Sequence, residues 1–387
     1  MNLQRTILAT ALAVGFAAPL AAQESASFVV RLGRDTIGVE TYTRNGDRLV
    51  IEQVGRAPRV LKRRYEYDLN ATGATARASA TITSPTAAAG APPVQQINAT
   101  FSGDSLTMES RRDTIVQRVR LALPPGLVAN AGASPWAMYE QLSVRMFAGK
   151  LDSLRLPAYV LGSTSLTRVT VARLGRDSIA IQTENDRYHA QVDRAGRIQH
   201  VVPVWGTVRV NVDRAATLDL AGLVASFAAR ERQGAGMGAL STRDTARVET
   251  AGAKVWIDYG RPAKRGRTIF GTVVPYGELW RTGANAATQL NTDQALEIGG
   301  TVVPAGSYSL WTIPSPGGWK LVINSETGVG GTSHKAEKDL YTLDMKVASI
   351  PEPVERFTIR IEPGSNGGVI HMEWDTTRAS IPFTVKR

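Results

Sequence analysis

Four cations fall within seven residues of this chain: Arg261, Lys264, Arg265 and Arg267. They sit on a Gly/Pro-punctuated segment of Lys254–Asn285, between Trp256 on one side and Trp280, Arg281 and Asn285 on the other. Arginine presents forked donors that match phosphate, sulfate or carboxylate, and a Gly-rich loop adds backbone N–H groups. Asn285 supplies a neutral hydrogen bond, and Trp256 and Trp280 offer ring faces to stack on a sugar or an aliphatic group. These eight residues are the expected ligand contacts. The alternative is that Asp258 and Glu278 neutralise the arginines, leaving a loop that braces the fold.

A second constellation is His371, Glu373 and Asp375, which alternate along one strand and so project to one face. That spacing can offer two or three ligands to a divalent cation, although a solvated sheet face gives the same pattern. The catalytic templates fail. There is no G-x-S-x-G elbow, H-E-x-x-H helix, Walker loop or dinucleotide fingerprint, so no catalytic residue and no cofactor is expected. With no Cys and four His, few nucleophile–base pairs can be built. A carboxylate-dependent hydrolase stays open, because acids distant in sequence can meet in space.

The elements that must position these groups read in order. Residues 1–22 pattern as a secretory signal: one charge at Arg5, a short apolar run, and small residues before a cut near Ala22. No stretch reaches the roughly 20 apolar residues needed for a membrane helix. Residues 23–213 show period-2 alternation broken by Gly, Asp and Asn turns, such as Asn45-Gly46-Asp47, the pattern of an antiparallel β domain. Residues 134–150 break that rhythm. Ser134 is placed as an N-cap and Pro135 at the first helical position. Trp136, Tyr139, Leu142 and Met146 then form an apolar stripe, which predicts a curved sheet or half-barrel around one packed helix. A second helix is expected from Asp213 to Gln233, and residues 214–240 close on a Gly-rich linker, Gly234–Gly238. Residues 241–387 then alternate over nine or ten short strands, predicting an all-β sandwich or jelly-roll.

Five motifs in this last part, KVWIDYGRPAKRGRTIFG, VVPYGELWRTGAN, VPAGSYSLWTIP, WKLVIN and WDTTRASIPF, occur in order. Through them residues 241–387 resemble the bacterial exported proteins of domain of unknown function family 2911. The resemblance implies an all-β exported domain and no activity. It departs at Asn285-Ala286-Ala287-Thr288, where the family often carries Asn-Glu-Ala-Thr, and at Val329-Gly330, where an aromatic-Gly pair is expected.

Charge bounds the partners. Lys and Arg number 45 against 34 Asp and Glu, a net charge of +11. For an intracellular chain this would suggest nucleic acid; export to the periplasm or beyond redirects it to anionic envelope components. The leading expectation is an exported non-catalytic binding protein that takes a polar or anionic small molecule, a glycan or a lipid headgroup at 261–285. The alternatives are the carboxylate-dependent hydrolase and an envelope protein–protein adaptor.

Overall fold

The computed structural model describes residues 23–69, 74–124, 128–130, 135–206 and 209–386. The expected signal peptide and the N-cap position Ser134 lie outside the described residues. The chain is all-β apart from two α-helices and one 3-10 turn among these residues.

The N-terminal part is one 15-stranded sheet, antiparallel except where Val128–Asn130 runs parallel to Ser153–Val160. Its strands meander outward from a central pair, Glu24–Leu32 against Asn211–Ala215, so the first and last strands of the domain hydrogen-bond to each other. The edges, Ile115–Ala122 and Val128–Asn130, do not pair with one another. The sheet nevertheless curls: Phe101 and Tyr159, from strands far apart in its order, meet with ring centroids 6.3 Å apart.

Helix α1, Trp136–Ala148, fills the concave side. The predicted stripe of Trp136, Tyr139, Leu142 and Met146 is buried, and so are Ala137, Met138, Glu140 and Ser143. Burial of both the stripe and its neighbours means that the helix is enclosed by the sheet. Its cap is not local. Pro135 occupies the N-cap with no side-chain bond, and Glu40, on the Asp35–Asn45 strand, accepts from the N–H groups of Trp136 (3.0 Å) and Ala137 (2.7 Å). A carboxylate from the sheet thus satisfies the orphan donors of the first turn.

The second helix starts later than its sequence pattern predicts. Asp213 lies in the Asn211–Ala215 strand, bonded to Arg31 and His200. Helix α2 spans Leu220–Arg232, and Asp219 caps it by accepting from Gly222 N at 2.9 Å. It packs Phe227, Leu223 and Val224 on the outer sheet face, against Val39, Val54 and Val60.

From Ser241 a second sheet holds nine strands. Two of them run long. Asp339–Gly364 fuses segments that alternate separately in sequence, and Gly367–Val385 does the same. Asp339–Gly364 pairs with Trp319–Asn324 through its first third and with Gly367–Val385 beyond. One continuous sheet therefore folds over on itself around a core that includes Trp319, Phe357 and Trp374.

Candidate functional site

The segment between the Ala253–Pro262 and Thr288–Thr292 strands has little regular structure, and its conformation is fixed by individual bonds. Glu355 holds its start, with its carbonyl accepting from Lys264 N at 2.7 Å and its carboxylate from Arg265 N at 2.9 Å. Trp280 exchanges backbone bonds with Thr312 at 2.7 and 2.9 Å. Arg265, Thr282 and Asn285 adopt positive φ, at 51°, 53° and 64°. Such values are uncommon for residues with a Cβ and mark a loop held by its surroundings.

The basic cluster divides in two. Arg261 pairs with Asp244 at 2.9 Å and donates to Phe357 O and Thr358 Oγ1. Lys264 pairs with Asp375. Arg265 pairs with Asp35 of the N-terminal sheet at 2.6 Å. These three cations are neutralised, by carboxylates other than the Asp258 and Glu278 that the sequence suggests. Asp258 accepts instead from Thr245, and Glu278 forms no ion pair among the described residues.

Arg267 and Arg281 are different. Arg267 bonds only carbonyls, Lys264 O at 3.0 Å and Ala263 O at 2.6 Å. Burial pushes its guanidinium down to about 10, with the charges of Arg265 and Arg209 adding to the effect. Arg281 has a buried Nε with no hydrogen-bond partner, and burial followed by the charge of Arg209 lowers its pKa, against the opposing pull of Asp186. Arg209, from the N-terminal domain, donates to Thr272 O at 3.3 Å and is likewise lowered by burial. None of the three makes an ion pair among the described residues.

All three line one cavity of about 830 Å³ between the two domains. Trp280 and Asn285 share its wall, whereas Trp256, Arg261, Lys264 and Arg265 do not. Glu278 is the one carboxylate among the described lining residues. Burial disfavours the charge on all three, and Arg209 disfavours it further on Arg267 and Arg281, so a nearby anion would be favourable here. The arrangement can hold a carboxylate, phosphate or sulfate.

Arg209 is the residue that sequence reading misses. It lies beyond the Ile198–Gly206 strand, far in sequence from the basic loop, in a chain with 45 Lys and Arg. Nothing local marks it; only the docking of the domains brings it to Arg267 and Arg281.

His371, Glu373 and Asp375 are each committed elsewhere. Glu373 is bound by Arg360 and Arg378, and Asp375 by Lys264. His371 places Nδ1 2.8 Å from Ser380 Oγ and Nε2 3.2 Å from Glu362. Among the described residues no group of three metal-ligating side chains comes together. The Ser380–His371–Glu362 row resembles a nucleophile–base relay in distance, but it lies on paired strands and none of its members lines the cavity.

Residues 241–383 match the family model described as Protein of unknown function (DUF2911). The match begins at the first strand of the second sheet and takes in the basic loop and the aromatic core. It leaves out the N-terminal sheet, and with it Arg209. No curated protein matches the chain. Among solved structures, a β-barrel-like protein of domain of unknown function DUF1849 from Brucella abortus aligns at 11% identity, covering 50% of this chain and 94% of that one, with a TM-score of 0.34. A DUF1089 family protein from Pseudomonas aeruginosa aligns at 14% identity, covering 43% of this chain and 90% of that one, with a TM-score of 0.31. At those scores the likeness fixes neither fold nor ligand.

Proposed function

We propose that this chain is an exported binding protein that holds a small anion in the interdomain cavity, on the guanidinium groups of Arg209, Arg267 and Arg281. The observation that carries the reading is that none of the three forms an ion pair among the described residues, Glu355 and Asp186 acting on Arg267 and Arg281 only at longer range, while Arg261, Lys264 and Arg265 beside them are all paired. A loop built only to brace the fold would be expected to neutralise its buried cations too, since an unpaired charge taken out of water costs several kcal/mol. Export rests on the signal-like pattern of residues 1–22 and on the resemblance to exported proteins. No helix among the described residues is long and apolar enough to cross a membrane.

The hydrolase alternative gains no support at this cavity, because it needs two carboxylates in one cleft and the described lining residues hold only Glu278. Glu40, on the sheet, and Glu140, on α1, do lie near each other, but both are buried between the helix and the sheet, away from this cavity.

Native mass spectrometry of the chain purified from its exporting host tests the reading. We expect an anionic adduct on the wild type that is lost from Arg267→Ala and Arg281→Ala variants with unchanged circular dichroism. Retention of the adduct by both variants would refute it.

A further inference from the structure

The cavity also exposes apolar surface, and from both domains. Val204 of the N-terminal sheet and Leu279 of the basic segment both line it, at 37% and 36% exposure. Trp205 and Trp280 lie half-buried on the same wall. Large apolar side chains facing a cavity between domains are surface waiting to be covered. A hydrated inorganic anion would compensate the three guanidinium groups and leave these side chains wet. A neutral lipid would cover the side chains and leave three partly buried cations without an ion-pair partner. Only a ligand with both characters satisfies both halves of the wall.

We infer that the ligand is an amphiphilic anion: a single acidic head seated on Arg209, Arg267 and Arg281, and an aliphatic body lying along Val204, Leu279 and Trp280. This rests on the anion-binding reading above and names the class of ligand. A cavity of about 830 Å³ is in the size range of small-molecule sites and has room for a single chain of ten or more carbons. Among the described residues, α1 packs on the concave side of the N-terminal sheet and does not line this cavity. Two sources share this chemistry, free fatty acids and single-chain lipids with a phosphate head, and the probes below separate them.

The test is a calorimetric titration of the full exported chain with hexanoate, octanoate, decanoate and decyl phosphate. Acetate and inorganic phosphate serve as head-only probes and decanol as a tail-only probe. We expect affinity to rise about fourfold per methylene along the carboxylate series. Decanoate should bind at least a hundredfold more tightly than acetate or decanol. The stronger of decanoate and decyl phosphate identifies the head. Leu279→Ser, on a side chain already partly in water, should flatten the chain-length series and leave acetate unchanged. Arg209→Gln should weaken decanoate and leave decanol unchanged.

If acetate or phosphate binds as tightly as decanoate, the amphiphile is overturned and the anion site stands. If decanol matches decanoate, or if no anion binds at all, both readings fall.

Discussion

Asp35, at the first hairpin of the N-terminal sheet, accepts a 2.6 Å hydrogen bond from the guanidinium of Arg265 in the basic loop. In the same place Arg34 N donates to Arg265 O at 3.1 Å. Arg265 therefore clamps the domains together, Arg261 and Lys264 pair within the C-terminal sheet, and Arg267 and Arg281 face the cavity beside the clamp. The division of the cluster into paired and unpaired cations is also a division of labour.

The clamp is sensitive to a single methyl group. A Cβ on Gly33 would stand 2.2 Å from Arg265 O, and Gly33 has φ +60°. Gly46 has nearly the same φ, +61°, with nothing within 4 Å of its Cβ position. Gly33→Ala and Gly46→Ala thus share the strain of a left-handed backbone, about 1–2 kcal/mol. Only the first should loosen the domains, seen as faster proteolysis of the Gly234–Gly238 linker. Equal proteolysis of the two variants would mean that the contact does not hold the interface.

Glu278 sets a second expectation. As the one carboxylate among the described lining residues, it repels an anion entering beside three cations. Glu278→Gln should tighten decanoate binding by about threefold to tenfold at low salt, and the gain should shrink as salt is added. Weaker binding would show that Glu278 contacts the ligand instead of opposing it.

Gly331 makes the room that Arg281 occupies. A Cβ there would fall 2.0 Å from Arg281 Cδ. Gly331→Ala should therefore reduce anion affinity about as much as Arg281→Ala does, without removing any charge. Calorimetry on the two variants makes the comparison. Wild-type affinity in Gly331→Ala would place the productive Arg281 conformation elsewhere.

The helix cap of the N-terminal domain carries a pH dependence. Glu40 is raised from its ordinary 4.5 to about 7, because burial outweighs the bonds from Ala137, Gln53 and Trp136; Glu140 adds repulsion. A carboxyl raised in the folded state contributes its full stability below about pH 4.5 and loses it as pH climbs through about 7. This group alone should lower stability over that window, by on the order of 3 kcal/mol at most. Glu40→Gln should flatten the slope of the urea midpoint across the same window. An unchanged slope would assign the dependence to another group.

The fold was largely legible because its signals are local. Alternation at Phe28–Leu32 or Phe357–Ile361 reports a strand with one wet face, and the spacing of Trp136, Tyr139, Leu142 and Met146 reports a helix. What failed is what depends on distant partners. The break between Leu343–Val347 and Arg356–Ile361 looks like a loop, yet pairing with Gly367–Val385 carries the strand across it. Asp213 looks helical until it is paired with Arg31 and His200.

Of the candidate site, only part of the cavity wall was legible, for the same reason. Arg267, Trp280, Arg281 and Asn285 stand on the cavity wall. Arg261, Lys264 and Arg265 are indistinguishable from Arg267 in sequence and find Asp244, Asp375 and Asp35 only in three dimensions. Arg209 belongs to another domain altogether.

The most direct test of the unpaired triad is thermal unfolding with and without decanoate. At a hundredfold excess over its Kd, a ligand bound only by the native state adds about 2.7 kcal/mol. That is expected to raise the wild-type Tm by roughly 5 °C. The Arg209→Gln/Arg281→Gln double variant should show no rise at the same concentration, while its own Tm without decanoate equals or exceeds that of the wild type because two partly buried cations without ion-pair partners are gone. A double variant that is much less stable on its own, and that still gains the full 5 °C, would contradict the account.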